Sequence, residues 1–233
     1  MKQTAKRFFS LALSVLLVLA ALLSLSSCAK HPVAYIAIEE YGLVAVELYE
    51  DKAPITVANF TKLVEEDFYD GLTFHRIIKS FMIQGGDPNG DGSGGSDEKI
   101  KGEFYYNGID TGLTHVEGTI SMARSGCPLT DSSGVSLEEY LYAGYDIPSG
   151  YMPYLESAFN SASSQFFIVT ETSSNNTASL DGKYAAFGQV VEGMDVVKAV
   201  AAVETNASNA PLTKVKIAVI TFDRAEAEAA LQK

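Results

Sequence analysis

The chain has 233 residues, with 17 Lys and Arg against 29 Asp and Glu, and a formal net charge of −12. This acidic balance, without any basic cluster, argues against nucleic-acid binding and against electrostatic attraction to an anionic membrane. The length is sufficient for one compact domain. Once Cys28 is modified, Cys127 is the only thiol left, so no intrachain disulfide is possible and the hydrophobic core must stabilise the fold.

Residues 1–27 have the pattern of a secretory signal peptide. Three positive residues precede an uncharged apolar run over 8–25, and small residues then lead to Cys28. The ending Leu-Ser-Ser-Cys resembles the lipobox of bacterial lipoproteins. That resemblance implies cleavage before Cys28, lipid on its sulfur, and an extracytoplasmic protein anchored to a membrane. An uncleaved spanning helix is the alternative, because about 20 apolar residues can cross a bilayer.

Residues 28–33 are predicted to form a short tether, and strand-like segments follow. Residues 35–38 and 43–48 predict a hairpin, and Pro54 begins a stretch with apolar residues at helical spacing. Many short strands with two helices favour a closed antiparallel barrel, because closure removes exposed strand edges. Further strands are predicted at 119–124, 164–169, 184–188 and 215–222, and a second helix at 194–203. The C-terminal tail at 223–233 is predicted to be a solvated helical end.

The stretch from Phe74 to Asp87 holds the most unusual residue pattern. A strand over 74–78 would place Phe74, Arg76 and Ile78 on one face and His75 on the other. An arginine among apolar neighbours is uncommon, because a guanidinium is seldom buried unless it is paired or functional. The alternative is an arginine at a sheet edge, paired with a carboxylate.

Residues 87–98 match the calcium-binding loop of EF-hands. Oxygen-bearing residues occupy the first, third and fifth positions, glycine the sixth and glutamate the twelfth. The context argues against calcium, since a predicted strand precedes the loop, Gly94 takes a position that is usually apolar, and no amphipathic helix follows. We therefore expect no metal site here, and a glycine-rich loop that lets the backbone approach a ligand closely.

Two other residues are expected to be structural. Cys127 has no adjacent cation or helix N-terminus to activate it, so we expect a plain surface cysteine. His115 has no partner ligands at metal-site spacing, so we expect it to satisfy a turn.

Five motifs, in order along the chain, resemble the signatures of cyclophilins, the cyclosporin-binding class of peptidyl-prolyl isomerases. The resemblance extends over residues 34–222 and implies a mainly β fold: a closed eight-stranded antiparallel barrel capped by two α-helices, with the active groove on its outer face. The motifs are FHRII at 74–78, FMIQGGD at 81–87, SMA at 121–123, SQFFI at 164–168 and LDGK at 180–183.

The same resemblance implies the site residues. Arg76 would be the catalytic arginine and Gln84 its polar partner. Arg124 replaces an asparagine that many members carry at a position whose backbone holds the peptide. The residues expected to bind substrate, of which the large apolar ones would enclose the proline ring, are His75, Phe81, Met82, Gly92, Ala123, Arg124, Gln165, Phe167, Leu180 and Tyr184.

This sequence departs from the family pattern in two places. The tryptophan before the LDGK turn is Ser179, and the histidine after it is Tyr184, which puts tight cyclosporin binding in doubt. Residues 125–160 replace a short loop, an insertion of about 30 residues beside the groove. Only 137–141 predict a helical turn within it. The insertion could extend the substrate surface, cover the groove, or be a passive excursion.

The implied chemistry fits the residue types. Rotating an Xaa–Pro bond crosses a barrier of about 18–20 kcal/mol without breaking a bond, so no cofactor, metal or nucleophile is needed. An apolar seat for the ring and a fixed cation near the prolyl nitrogen are sufficient, and Arg76 suits that role because it stays charged. We therefore predict a monomeric isomerase acting on proline-containing segments of secreted or surface proteins. A catalytically weak peptide-binding scaffold or chaperone on the same fold is the alternative.

Overall fold

The computed structural model describes residues 31–173 and 176–232; the predicted signal peptide and Cys28 lie outside them. Residues Pro32–Lys233 form one compact unit. Its nine strands are β1 (Val33–Ile38), β2 (Gly42–Leu48), β3 (Thr73–Phe74), β4 (Arg76–Ile78), β5 (Met82–Gly85), β6 (Thr119–Met122), β7 (Phe166–Val169), β8 (Ala186–Glu192) and β9 (Val215–Thr221).

All nine strands belong to one antiparallel sheet with the order β3-β9-β1-β2-β8-β6-β7-β5-β4. The two strands at the ends of this order, β3 and β4, are consecutive in the chain and separated by His75 alone. An isolated bridge between Thr73 and Asp87 joins β3 to the end of β5 and nearly closes the barrel. The predicted mainly β barrel is therefore confirmed, with nine strands where eight were expected, because His75 divides one predicted strand into two.

The break at His75 also changes which side chains share a face. Phe74 is fully buried in the main core and Arg76 is exposed, so the prediction that they lie on one face is wrong. Alternation resumes within β4, and Ile77 enters the core. Ile77 pairs with Ile83 of β5, Ile83 with Ile168 of β7, and Ile168 with Ile120 of β6. This buried row leaves the alternate residues of the same four strands on the outer face.

In the part of the chain that the structure describes, five α-helices accompany the sheet. Two are the predicted helices that cap the barrel, one lies at the predicted helical turn, one at the predicted helical C-terminal end, and one was not predicted. The first packs its aromatic residue Phe60 on Phe166 and Phe187, with ring centroids 5.8 and 5.3 Å apart. The buried carboxylate of Glu103 accepts the first free N–H groups of that helix, from Ile55 and Thr56. The helices are α1 (Pro54–Glu65), α2 (Leu137–Tyr142), α3 (Met152–Phe159), α4 (Met194–Ala201) and α5 (Arg224–Ala230).

The additional helices lie in the insertion and at the C-terminus. α2 begins with a capping box, in which Ser136 and Glu139 bond to each other's backbone N–H. α5 packs Ala227 into a small cluster with Ala37 and Val219. The prediction that the C-terminal segment is solvated is therefore wrong for the face that carries Ala227. Within the part of the chain that the structure describes, no helix has the length and hydropathy to span a membrane.

Candidate active site

The site lies on the outer face of four adjacent strands. Arg76 of β4 pairs with Gln84 of β5, Gln84 with Phe167 of β7, and Phe167 with Ser121 of β6. Residues opposite one another in a sheet lie on the same face. Four of the five motifs that carry the family resemblance, although as much as 91 residues apart, therefore meet in one row across the sheet.

A pocket of about 250 Å³ opens beside this row. Its floor is a small apolar cluster, separate from the main core, built on Met82, Phe167, Val169 and Leu180. The nine residues that line the pocket were all predicted site residues: Arg76, Phe81, Met82, Gln84, Ala123, Arg124, Phe167, Leu180 and Tyr184.

Arg76 is held by a chain of side-chain hydrogen bonds. Arg76 Nη1 donates to Gln84 Oε1 at 3.1 Å, and Gln84 Nε2 donates to Gln165 Oε1 at 2.8 Å. Gln165 Nε2 donates in turn to the carbonyls of Gly92 and Gly94, at 3.1 and 2.7 Å. Among the described residues no carboxylate lies within ion-pair distance of Arg76, so the alternative of a structurally paired edge arginine is not met. The guanidinium of Arg76 is therefore held in one orientation, and no ion pair among these residues neutralises its positive charge.

The loop over 87–98 is organised around the buried carboxylate of Asp87. That carboxylate accepts backbone N–H groups from Asn89, Asp91 and Gly92. These bonds turn the Asp87 oxygens towards the backbone of the loop. The loop, the first residue of the insertion and serines just after the insertion line a second hollow of about 340 Å³. Two more predicted residues, Gly92 and Gln165, line it.

His75 lies beneath this loop and lines neither hollow. It is 8% exposed, and neither ring nitrogen has a hydrogen-bond partner among the described residues. Burial lowers the pKa of His75, and neighbouring Asp87 and Asp91 oppose that shift while Arg76 adds to it. The imidazole therefore fills space behind the groove in its neutral form.

Arg124 behaves in a way that the sequence did not indicate. Its side chain is 4% exposed and forms a bidentate ion pair with Glu138 of α2, at 3.1 and 2.9 Å. Burial alone would lower the pKa of Arg124, but the bond to Glu138 and the electrostatic attraction of Tyr142, Glu138 and Tyr184 together outweigh burial, and the pKa is raised. Burial would likewise raise the pKa of Glu138, and the bonds from Arg124 and Tyr142 bring it below its usual value. Both groups are therefore charged at neutral pH.

A second feature that sequence analysis missed lies behind the pocket. His115 Nδ1 is 2.9 Å from Asp181 Oδ1, and His115 Nε2 is 3.1 Å from Ser121 Oγ. The imidazole stacks on Phe167 at 6.0 Å between ring centroids. This is the order of a hydrolytic triad, but Ser121 is fully buried and cannot meet a substrate. His115 therefore satisfies the turn that carries Asp181, as predicted. It also supports the pocket wall through Phe167, which only spatial proximity could have indicated.

Cys127 also differs from the prediction. It is 8% exposed, and its backbone N–H donates to Glu138 Oε1. Residues of the insertion thus join the core instead of remaining on the surface.

Comparison with known proteins decides the family. The family model described as "Cyclophilin type peptidyl-prolyl cis-trans isomerase/CLD" matches residues 33–136 and 151–221. The chain belongs to the cyclophilin-type peptidyl-prolyl cis-trans isomerases. It is 38% identical over 177 residues to "Peptidyl-prolyl cis-trans isomerase-like 1" of Neurospora crassa, covering 76% of this chain and 85% of that one. It is 36% identical to "Peptidyl-prolyl cis-trans isomerase ppi1" of Schizosaccharomyces pombe, with 76% and 90% covered.

A solved cyclophilin has the same fold. The crystal structure of a cyclophilin-type peptidyl-prolyl cis-trans isomerase from Cryptosporidium parvum, in the presence of the dipeptide Ala-Pro, matches with a TM-score of 0.60 and 26% identity. The match covers 81% of this chain and 97% of that one. The family model leaves residues 137–150 unmatched, and these contain α2 with Glu138.

Two substitutions, Tyr184 and Ser179, distinguish this pocket from the family pattern. Tyr184 lines the pocket and packs edge-on against Phe167, with ring centroids 5.7 Å apart. Ser179 is exposed and donates to the carbonyl of Asn176. The aromatic wall on this side of the cyclophilin pocket is therefore provided by Tyr184, in contact with Arg124.

Proposed function

We propose that this cyclophilin rotates Xaa–Pro bonds in secreted or surface proteins, from a site outside the cytoplasm to which a lipid on Cys28 anchors it. The observation that carries the catalytic part is Arg76 itself. It has no ion-pair partner among the described residues, is oriented by Gln84 at 3.1 Å, and lies at the edge of a pocket with an apolar floor. The pocket volume of about 250 Å³ accommodates a proline ring with its adjoining backbone.

The roles of the residues follow from the chemistry of the rotation. The pocket holds the ring by apolar contact while the preceding carbonyl swings. As the amide twists, its nitrogen lone pair localises and accepts a hydrogen bond from the Arg76 guanidinium. A donor that is fixed before the reaction lowers the barrier, because it fits the twisted state better than either planar state. The bond chain through Gln84 and Gln165 to the Gly92 carbonyl supplies that fixed orientation.

The decisive test is cis–trans exchange of an Xaa–Pro peptide, followed by NMR. The wild-type protein should accelerate exchange, and Arg76→Ala should reduce the acceleration by about 10²-fold, as removal of one preorganised donor does. Lys79→Ala is the matched control, because Lys79 is an exposed cation three residues further on and does not line the pocket. Circular dichroism verifies folding of each variant.

Several residues preceding proline should be tried. A folded wild-type protein that accelerates none of these peptides would refute the isomerase function. So would an Arg76→Ala variant as active as Lys79→Ala.

One observation favours binding without turnover as a second function. The insertion exposes Tyr145, Tyr151 and Tyr154 by 63%, 50% and 48%. Exposed aromatic residues on one segment support a client-binding surface. Suppression of client aggregation that is equal in wild type and Arg76→Ala would support this chaperone function.

The anchoring part rests on the leader alone. Positive residues, an apolar run and the Leu-Ser-Ser-Cys ending support lipidation of Cys28. The full chain expressed in a bacterium should therefore appear in the membrane fraction with a mass that corresponds to cleavage before Cys28 plus acyl groups. Cys28→Ser should abolish both the lipid mass and the cleavage. An unmodified mature N-terminus in the wild type would refute lipidation.

A further inference from the structure

Arg124 connects the insertion with the proline pocket. It lines the pocket, and its guanidinium contacts α2, a helix in the segment that the family model leaves unmatched. All five of its N–H donors are used. Nη1 and Nη2 bond to the two Glu138 oxygens, Nη2 also to the Tyr142 hydroxyl at 2.8 Å, Nη1 to the Ser125 carbonyl, and Nε to the Lys183 carbonyl at 2.8 Å.

On the side of the pocket, the same guanidinium contacts the aromatic wall. Its carbon lies 5.0 Å from the ring centroid of Tyr184, which in turn packs edge-on against Phe167. The Lys183 ammonium lies 4.4 Å from the ring centroid of Tyr142, a second contact between the pocket rim and α2. A continuous set of contacts therefore runs from α2 through Arg124 and Tyr184 to Phe167.

The charges also bear on catalysis. Arg76 and Arg124 are the two charged residues among those that line the pocket. Glu138 neutralises Arg124, whereas Arg76 keeps its charge free for the substrate. Without Glu138, a second unpaired cation would lie at the pocket, and Arg124 could leave its place against Tyr184.

We propose that Glu138 and Tyr142 are positioning residues for the proline pocket, which makes α2 of the insertion part of the active site. They hold the Arg124 guanidinium so that Tyr184 stays against Phe167 and the Lys183 carbonyl stays in place. This inference rests on the proposed function, since it concerns the same pocket. It assigns to the insertion a defined role in seating the ring, in place of a passive excursion.

The expected signature is a change in KM and not in kcat. The pocket holds the proline ring in the planar and the twisted states alike, so loosening it removes uniform binding. We expect Glu138→Gln and Tyr142→Phe to raise KM by about three- to tenfold, the effect of one or two hydrogen-bonded contacts. In both variants kcat should stay within about twofold, whereas Arg76→Ala lowers kcat.

The matched control is Glu156→Gln, which makes the same substitution on an exposed residue of α3 in the same insertion. The assay is NMR exchange over a range of Xaa–Pro peptide concentrations. A second NMR measurement on the same variants is the cross-relaxation between the Tyr184 and Phe167 ring protons. That signal should weaken in Glu138→Gln and persist in Glu156→Gln.

Glu138→Gln leaves a buried arginine unpaired and could unfold the protein. The double variant Arg124→Met with Glu138→Met removes both charges, keeps apolar bulk, and should raise KM by a similar factor. An unchanged KM in a folded Glu138→Gln or double variant would overturn the proposal. So would an equal rise of KM in Glu156→Gln.

Failure of the proposed function is distinguishable from failure of this inference. If the wild type binds the peptide without accelerating exchange, the isomerase function fails. The peptide dissociation constant and the Tyr184–Phe167 cross-relaxation then still report on positioning, since neither requires turnover. Equal dissociation constants and equal cross-relaxation in wild type and Glu138→Gln would overturn the inference by themselves.

Discussion

Lowering the pH from 7.5 to 5.5 should destabilise this protein, because the unfolded chain takes up protons that the folded chain does not. His75 and His115 are 8% and 2% exposed, and burial lowers the pKa of both. For His115 the bond to Asp181 opposes that shift without reversing it. In the unfolded chain each imidazole titrates near pH 6.5. The stability that these residues contribute is therefore present above pH 6.5 and is lost as the pH falls towards their folded pKa values.

The size of the effect follows from linkage. A histidine that stays neutral in the folded state and titrates near 6.5 in the unfolded state contributes about 1.4 kcal/mol between pH 7.5 and 5.5. Two such residues give at most about 3 kcal/mol, a large share of the stability of a small domain. Carboxylates such as Glu138, whose pKa is lowered, lose their contribution only at more acidic pH.

Urea unfolding at several pH values provides the measurement. The chain has no tryptophan, so circular dichroism is the suitable signal. His75→Gln should remove about half of the fall in unfolding free energy between pH 7.5 and 5.5. A wild-type unfolding free energy that is flat over this range would refute the reasoning, as would a His75→Gln variant with the full wild-type slope.

Three other predictions concern the groove. Gln165→Ala should lower kcat/KM by about tenfold, because Gln84, which orients Arg76, loses its own hydrogen-bond partner. Unchanged exchange rates in a folded variant would contradict this. Gly86→Ala should lower the unfolding free energy measured in urea by about 2–3 kcal/mol. Gly86 has a φ of +83°, and an added Cβ would lie 2.5 Å from the Ser164 carbonyl oxygen. A decrease below about 0.5 kcal/mol would refute this prediction. Titration calorimetry should detect no heat at millimolar calcium, because Asp87 is satisfied by its own loop; a saturable heat would revive the calcium site.

The fold could be predicted as far as local pattern and motif order determine it. β-rich segments predicted β1 and β2, alternation of apolar and polar residues predicted β9, and the ordered motifs indicated the barrel. Alternation failed at Phe74, because it holds only within a continuous strand and the strand breaks at His75. α3 was not predicted, because the segment that contains Pro153 shows no clear periodicity, although proline is well tolerated in the first helical turn.

The pocket was predictable for a different reason. Its lining residues belong to motifs with fixed spacing, so the family resemblance selected them without any knowledge of contacts. The Arg124–Glu138 pair was not predictable, because its partners are 14 residues apart across a segment without periodicity. The one usable signal was Ser136 with Glu139, a capping box that marks the start of α2 and hence the face carrying Glu138.

The closing seam of the barrel has a consequence for synthesis of the chain. β3, next to the strand that carries Arg76, pairs with β9, so Thr73 must find Lys216, more than 140 residues later. β1 also pairs with β9. A nascent chain therefore lacks a closed barrel until residue 221 has emerged from the ribosome. Closure of contacts with such large sequence separation is slow, because the loop entropy is lost before the pairing is gained. The enzyme thus becomes competent only after β9 has been synthesised, and cannot act on its own seven prolines before then.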